Sequence, residues 1–204
     1  MTPTLLRRAA LGLAACLSFA AAPASAAVLN VGLDGQLAGA DGVNVNGTLY
    51  DVIFFNAQCI QAFDGCDSVD DFAFRSSEDA FDAATALFDQ VLVDGPLGAF
   101  DTNPSLTFGC MFGADCRIAI PYAFDPFGAV LTRSANNRVS GDIVAFITAS
   151  PTLEAGSINN FVYARFTLAD TQMSEVPLPA ALPLFLMGIA GLGAARSRRE
   201  TRAH

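Results

Sequence analysis

The stretch VNVNGTLY, residues 43–50, alternates apolar and polar side chains around an Asn-Gly pair at positions 46 and 47. Alternation of this kind places every second side chain on one face of a β-strand. Asn and Gly readily adopt the left-handed backbone that a two-residue hairpin turn requires. The stretch therefore predicts a β-hairpin, whose second strand continues to Phe55, as the start of an antiparallel sheet.

Downstream of the hairpin, a helical pattern begins at a capping box formed by Ser76 and Asp79. The turn-forming tripeptide Asp94-Gly95-Pro96 ends it. Between these two signals, apolar residues recur at helical spacing: Ala80, Ala84, Leu87, Phe88 and Val91. The pattern predicts one amphipathic helix over about residues 77–93.

Two later segments, residues 143–149 and 161–168, are rich in β-branched and aromatic residues and are bounded by Gly, Pro and Asn. Both predict strands. With the hairpin and the helix, they predict an α+β fold that is mostly antiparallel, with one amphipathic helix. The many phenylalanines in these segments are expected in its core.

The N-terminal region, residues 1–26, has the three parts of a secretory signal peptide. Arg7 and Arg8 precede a long apolar run, and Ala24-Ser25-Ala26 supplies the small residues that signal peptidase requires. We expect a signal helix that is cleaved after Ala26. Residues 27–172 then form the exported domain, long enough for one self-sufficient core.

The exported region is strongly acidic. Residues 27–175 contain nineteen Asp or Glu and five Arg, a formal net charge of −14. This charge repels phosphate backbones, so nucleic acid is not expected as a partner. Lysine is absent from the chain, and the only histidine is His204. The common nucleophile–base pairs and the lysine chemistries are therefore excluded, and we expect neither enzymatic activity nor a cofactor.

Four aspartates crowd one segment of the domain: Asp64, Asp67, Asp70 and Asp71. Two carboxylates can hydrolyse a glycosidic bond if they meet in a cleft, and carboxylate oxygens suit calcium. A carboxylate-based envelope glycan hydrolase and a calcium-dependent adhesive module are therefore alternative functions. The spacing matches no ligand pattern, so no catalytic or metal-binding residue is assigned.

The exported region contains an even number of cysteines: Cys59, Cys66, Cys110 and Cys116. Because export leads to an oxidising compartment, two disulfides are expected. We favour the pairs Cys59–Cys66 and Cys110–Cys116, since each encloses a short loop containing Gly and Asp. A four-thiolate zinc site is the alternative, although these gaps are longer than those usual for zinc.

The C-terminal region, residues 173–199, contains an apolar run that can cross a membrane once. Residues 177–195 carry no charge and would span about 28 Å as a helix, close to the hydrocarbon thickness of a bilayer. Three arginines after the run act as a stop-transfer signal: Arg196, Arg198 and Arg199. They place residues 200–204 in the cytoplasm and the domain outside.

The motif before this run consists of Val176, Pro177, Leu178, Pro179 and Ala180. Followed by the Gly-rich apolar run and the arginines, it closely resembles the PEP-CTERM sorting signals, specifically the VPLPA-CTERM variety. The resemblance implies that an exosortase, an integral-membrane protease of Gram-negative bacteria that make exopolysaccharide, recognises the tail. Leu178 stands where the founding motif has Glu. The central domain resembles other uncharacterised exported domains with such tails, which implies no activity.

These features together predict an exported protein of the cell surface or extracellular matrix, with a binding or structural role. It would pass transiently through the inner membrane as a single-pass protein. The expected partners are signal peptidase and an exosortase-type membrane protease, with exopolysaccharide as a further candidate.

Overall fold

The computed structural model describes residues 26–111, 113–153, 155 and 160–170. The strands in this part of the chain are β1 (Val28–Val31), β2 (Leu37–Val45), β3 (Thr48–Phe55), β4 (Asp94–Gly95), β5 (Gly98–Ala99), β6 (Asp115–Phe124), β7 (Val130–Arg138), β8 (Ile143–Ala149) and β9 (Phe161–Leu168). The helices are α1 (Cys59–Ala62) and α2 (Ser77–Gln90), with short 3₁₀ turns at Val69–Asp71 and Pro104–Leu106.

The predicted α+β class is wrong. The described fold is mostly β, with 43% of residues in strands and 18% in helices, and it is built on a sheet of seven strands. The error lies mainly in residues 115–138, which form the long strands β6 and β7 although no strand was predicted there. Arginine, asparagine and proline residues interrupt the apolar pattern of both strands. Their place in a sheet depends on contacts with residues distant in sequence, which the local pattern does not contain.

The predicted hairpin is present as β2 and β3. Asn46 and Gly47 form its two-residue turn, and both have positive φ angles, 51° and 87°. Val45 pairs with Thr48 on either side of the turn. Two positive φ angles in a two-residue loop characterise the turn whose twist matches that of paired strands. Local sequence therefore determines the register of this hairpin.

The seven strands of the sheet follow the order β1-β2-β3-β9-β6-β7-β8. The last of the described strands, β9, occupies the centre, where it pairs antiparallel with β3 and parallel with β6. The other neighbouring strands are antiparallel. Strands β4 and β5 form a separate ribbon. The central strand is covered on both faces, and its side chains from Phe161 to Ala164 are all buried.

Helix α2 covers one face of the sheet and packs against β2, β6 and β7. Its predicted start is observed: the Ser76 hydroxyl accepts the backbone N–H of Asp79 at 3.0 Å and caps the helix. The helix ends at Gln90, three residues before the predicted end, and the Val91 N–H caps it by donating to the carbonyl oxygen of Leu87. The buried side of the helix consists of Ala80, Ala83, Ala84, Ala86 and Leu87. The small alanines let the helix lie close to the sheet.

Helix α1 and the segment after it cover the opposite face. Tyr163, at the centre of β9, is fully buried and packs edge-on against Phe63, with ring centroids 5.9 Å apart. Burial raises the pKa of Tyr163 to about 12. The Arg165 guanidinium lies over the Phe55 ring at 4.5 Å and donates to the carbonyl oxygen of Ala62 at 3.3 Å. These contacts hold α1 on the sheet.

Among the described residues, no helix is long and apolar enough to cross a membrane. The predicted signal helix at residues 1–26 and the predicted transmembrane helix at residues 173–199 lie outside the described ranges, apart from residue 26.

Candidate functional site

The two predicted disulfides are present. Cys59 is bonded to Cys66 and Cys110 to Cys116, the two short-range pairs, with Cα–Cα distances of 5.7 and 5.6 Å. All four cysteines are buried. Because such bonds form and persist in oxidising compartments, they indicate that the folded domain is extracytoplasmic.

The acidic segment beside the first disulfide uses its carboxylates for local structure. The Asp71 carboxylate accepts the backbone N–H groups of Asp67 and Ser68 at 3.0 and 3.1 Å. Asp70 forms an exposed salt bridge with Arg75 at 2.8 Å. In the described ranges, no three His, Cys, Asp or Glu side chains come together as a group that could hold a metal ion. The Asp70 and Asp71 carboxylates are thus engaged in contacts within their own segment.

Two other carboxyl groups, those of Asp101 and Asp142, lie near each other beside the β7–β8 turn. Burial raises the pKa of Asp142, the backbone N–H of Arg138 partly lowers it, and the Asp101 carboxyl raises it further. The Asp94 carboxylate accepts the N–H of Thr102 at 3.1 Å and that of Asp101 at 2.9 Å, and these bonds lower the pKa of Asp94. Asp94 and Asp142 thus each cap a backbone turn.

A groove lies between the β2–β3 hairpin and helix α2, and we call it the hairpin–helix groove. It consists of two adjoining depressions of about 170 and 270 Å³ that share Val45 and Asn46 as lining residues. The polar residues of its walls are Asn44, Asn46, Thr48, Tyr50, Asp79, Asp82, Thr85, Asp89 and Gln90.

Side-chain hydrogen bonds join the two walls of the groove. The Gln90 amide accepts the backbone N–H of Asn44 and donates to its carbonyl oxygen, both at 2.8 Å. The Asn46 amide donates to the Asp82 carboxylate at 2.7 Å. Within the hairpin wall, the Asn44 side-chain oxygen accepts the N–H of Gly47 at 2.7 Å and braces the turn. The groove is therefore built on two regular elements that are fastened together, which is what a preorganised binding site requires.

An aromatic ring lies at one end of the groove. Tyr50 lines the larger depression and packs against Phe74 at 5.3 Å and Phe166 at 6.0 Å between ring centroids. These two contacts hold the Tyr50 ring in place. Beyond the ring, the walls carry the carboxylates of Asp79, Asp82 and Asp89, whose oxygen atoms accept hydrogen bonds and donate none when ionised.

The sequence predicted the hairpin and the helix but not the groove between them. Asp79, Asp82 and Asp89 recur at helical spacing, which places them on one side of α2. That periodicity indicates that these aspartates lie on the solvent-facing side of the helix. It does not indicate that the β2–β3 hairpin lies beside them. Asn44 and Gln90 are 46 residues apart in the chain, and no local signal links them.

The predicted residues of the C-terminal tail lie outside the part of the chain that the structure describes. This holds for the sorting motif, which consists of Val176, Pro177, Leu178, Pro179 and Ala180. It holds equally for the predicted stop-transfer residues Arg196, Arg198 and Arg199. Both assignments therefore stay predictions from the sequence.

Comparison of the chain with protein-family models, curated proteins and solved structures finds no match.

Proposed function

We propose that this chain is an exported, non-enzymatic protein of the cell surface or extracellular matrix of a Gram-negative bacterium, sorted by an exosortase-type membrane protease. The observation that carries the proposal is the order of three parts in the tail: the motif at 176–180, the uncharged apolar run, and the stop-transfer arginines Arg196, Arg198 and Arg199. The two disulfides support it, because they belong to an extracytoplasmic domain.

The tail acts in this proposal as a processed signal and only transiently as an anchor. The arginines stall the apolar run in the inner membrane, with the domain outside. This presents the proline-containing motif near the outer face of that bilayer. Pro177 and Pro179 lack backbone N–H groups and disfavour helix in the residues before them. A sequence biased in this way against helix suits recognition by a peptidase.

Replacing Pro177 and Pro179 with alanine is expected to reduce release of the domain by about tenfold, as loss of roughly 1.4 kcal/mol of recognition would do. The domain itself should fold as before, since neither proline belongs to it. The measurement is mass spectrometry of the surface-associated protein and of the inner-membrane fraction in the native host.

The matched control replaces the exposed residues Pro96 and Pro126 with alanine, the same change at two turns of the folded domain. It should leave release unchanged. Recovery of wild-type surface protein that still contains residues 184–199 would show the tail to be a permanent anchor, and the sorting proposal would then be abandoned.

A second function, glycan binding, is favoured by the hairpin–helix groove. Sugars carry hydroxyl groups that donate hydrogen bonds and an apolar C–H face that packs on aromatic rings. The groove supplies the complementary surfaces, acceptor oxygens along its walls and the fixed ring of Tyr50 at one end. Its carboxylates disfavour anionic ligands. We therefore propose a neutral or amino-sugar exopolysaccharide as the ligand.

Replacing Asp89 with arginine should weaken binding to exopolysaccharide isolated from the host by about tenfold, because a long cationic side chain would occupy the groove and exchange an acceptor for donors. Asp89 is an exposed residue on the groove wall, so the fold should tolerate the change. Affinity electrophoresis of the wild-type and variant chains gives the comparison.

The control is Glu78→Arg, the same charge change at an exposed position of the same helix outside both depressions. Equal weakening by both variants would assign the effect to net charge and remove the groove from the proposal. If the wild-type chain does not bind the polysaccharide, glycan binding is wrong while the sorting proposal stands.

A further inference from the structure

Strand β8 is an edge of the seven-stranded sheet, and no other described strand pairs with its outer side. Its sequence, IVAFITA, contains no charged residue and no proline. Its register with β7 runs without a shift from Asn136 opposite Ile143 to Val130 opposite Ala149. A long, regular and uncharged edge of this kind is a template for pairing with another strand.

The opposite edge of the sheet differs. Strand β1 has only four residues, and its pairing with β2 is interrupted by a bulge between Asn30 and Val31. Short length and bulges are among the devices by which proteins prevent pairing at sheet edges. The two edges of the same sheet are therefore not equivalent, and β8 is the one without this protection.

The side chains of β8 add apolar surface to the exposed backbone. Phe146 is 54% exposed and Ile143 is 44% exposed, on opposite faces of the strand. The exported region around this strand carries a formal net charge of −14, so an uncharged strand of seven residues on the surface is unusual for this chain. A partner strand would cover both the apolar side chains and the unpaired backbone groups.

We propose that two copies of this chain associate through β8, antiparallel and about a two-fold axis at Phe146, so that two seven-stranded sheets become continuous. In such a two-fold pairing, if residue i of one copy faces residue j of the second, then residue j of the first copy also faces residue i of the second. The register centred on Phe146 is the one that pairs all seven residues of the strand.

The pairs formed in this register are self-complementary. Ile143 lies opposite Ala149 and Ala145 opposite Ile147, so every pair on that face is apolar. The two Asp142 residues lie at opposite ends of the joint sheet, which keeps their like charges apart. This complementarity is the reason for assigning a second copy as the partner in preference to an unrelated strand. Pairing through β8 involves no residue of the C-terminal tail.

The experiment introduces Phe146→Cys into the full chain, expressed in its native host. Residues directly opposite in an antiparallel pair have Cα atoms about 4.5–5.5 Å apart, within the range that a disulfide bridges. The variant should form a covalent homodimer on non-reducing gels. Because one strand pair is a small and weak interface, trapping by a disulfide is more sensitive than measuring the free oligomer.

Two controls give the proposal its test. Phe127→Cys places the thiol on a side chain that is 94% exposed at the β6–β7 turn, and it should cross-link about tenfold less because no copy faces it. Ile143→Cys should also cross-link poorly. In the proposed register, residue 143 faces Ala149 of the second copy, so the two introduced thiols lie at opposite ends of the strand pair.

Equal dimer yields from Phe146→Cys and Phe127→Cys would overturn the proposal, as would no dimer from either. Equal yields from Phe146→Cys and Ile143→Cys would overturn the register. A Phe146→Cys product whose mass shows a different protein would overturn self-pairing. Retention of the two native disulfides, checked by peptide mapping, shows that each variant has folded.

Discussion

Replacing Gly39 with alanine is expected to destabilise the folded domain by about 4 kcal/mol, a large fraction of the roughly 5–15 kcal/mol by which ordinary domains are stable. A Cβ atom at this position would lie 1.9 Å from the backbone oxygen of Val52 on the neighbouring strand. Gly39 also has φ +152°, a conformation that costs other residues roughly 1–3 kcal/mol. Displacing the packed backbone of β3 adds roughly 1–3 kcal/mol.

The matched control is Gly42→Ala, three residues along the same strand. Gly42 also has a positive φ, +71°, but a Cβ atom there would meet nothing within 4 Å. The Gly42→Ala variant should lose only about 1–2 kcal/mol of unfolding free energy, which is the cost of the left-handed backbone conformation alone. Urea unfolding of the exported chain measures both. Equal losses of unfolding free energy would show that the close approach of β2 and β3 is not the cause.

Removing both disulfides by replacing the four cysteines with alanine should cost about 4 kcal/mol and lower the melting temperature by roughly 10 °C. The cystine pairs are separated by 7 and 6 residues, so each loop closure contributes about 2 kcal/mol on the chain-entropy estimate. The sheet should still form at room temperature, because a domain of this size buries enough surface to fold without cross-links.

The two pairs can be removed separately. The Cys59→Ala, Cys66→Ala variant should loosen α1 from the sheet face occupied by Tyr163. The Cys110→Ala, Cys116→Ala variant should affect the start of β6. Thermal unfolding followed by tryptic mapping distinguishes these outcomes. A melting temperature that does not change when all four cysteines are replaced would contradict the predicted stabilisation.

The features that could be predicted correctly depend on neighbours close in sequence. The turn at Asn46 and Gly47 requires two positive φ angles, and its residues supply them. The start of α2 is determined by Ser76, which caps a backbone N–H only three residues away. Each disulfide closes a loop of a few residues. In each of these cases, the interaction and its sequence signal lie in one short window.

The features that could not be predicted depend on partners distant in sequence. Strand β7 contains Asn137, which is fully buried and donates to the carbonyl oxygen of Phe100 at 2.7 Å. It also contains Arg133, which donates to the Ser77 hydroxyl at 2.9 Å. Polar residues of this kind indicate a loop until their partners are known, because strand preference depends on the surrounding packing. The α+β prediction failed for this reason.

The sequence by itself determined the acidic charge of the domain, the β2–β3 hairpin and the start of α2, because each follows from composition or from residues within one turn. Only the tertiary structure decided that β9 lies at the centre of the sheet, that β8 lies at an edge of the sheet formed by the described strands, and that Gln90 joins the helix to Asn44. The physical reason is that strand pairing is selected by burial on both faces, which depends on segments far apart in the chain.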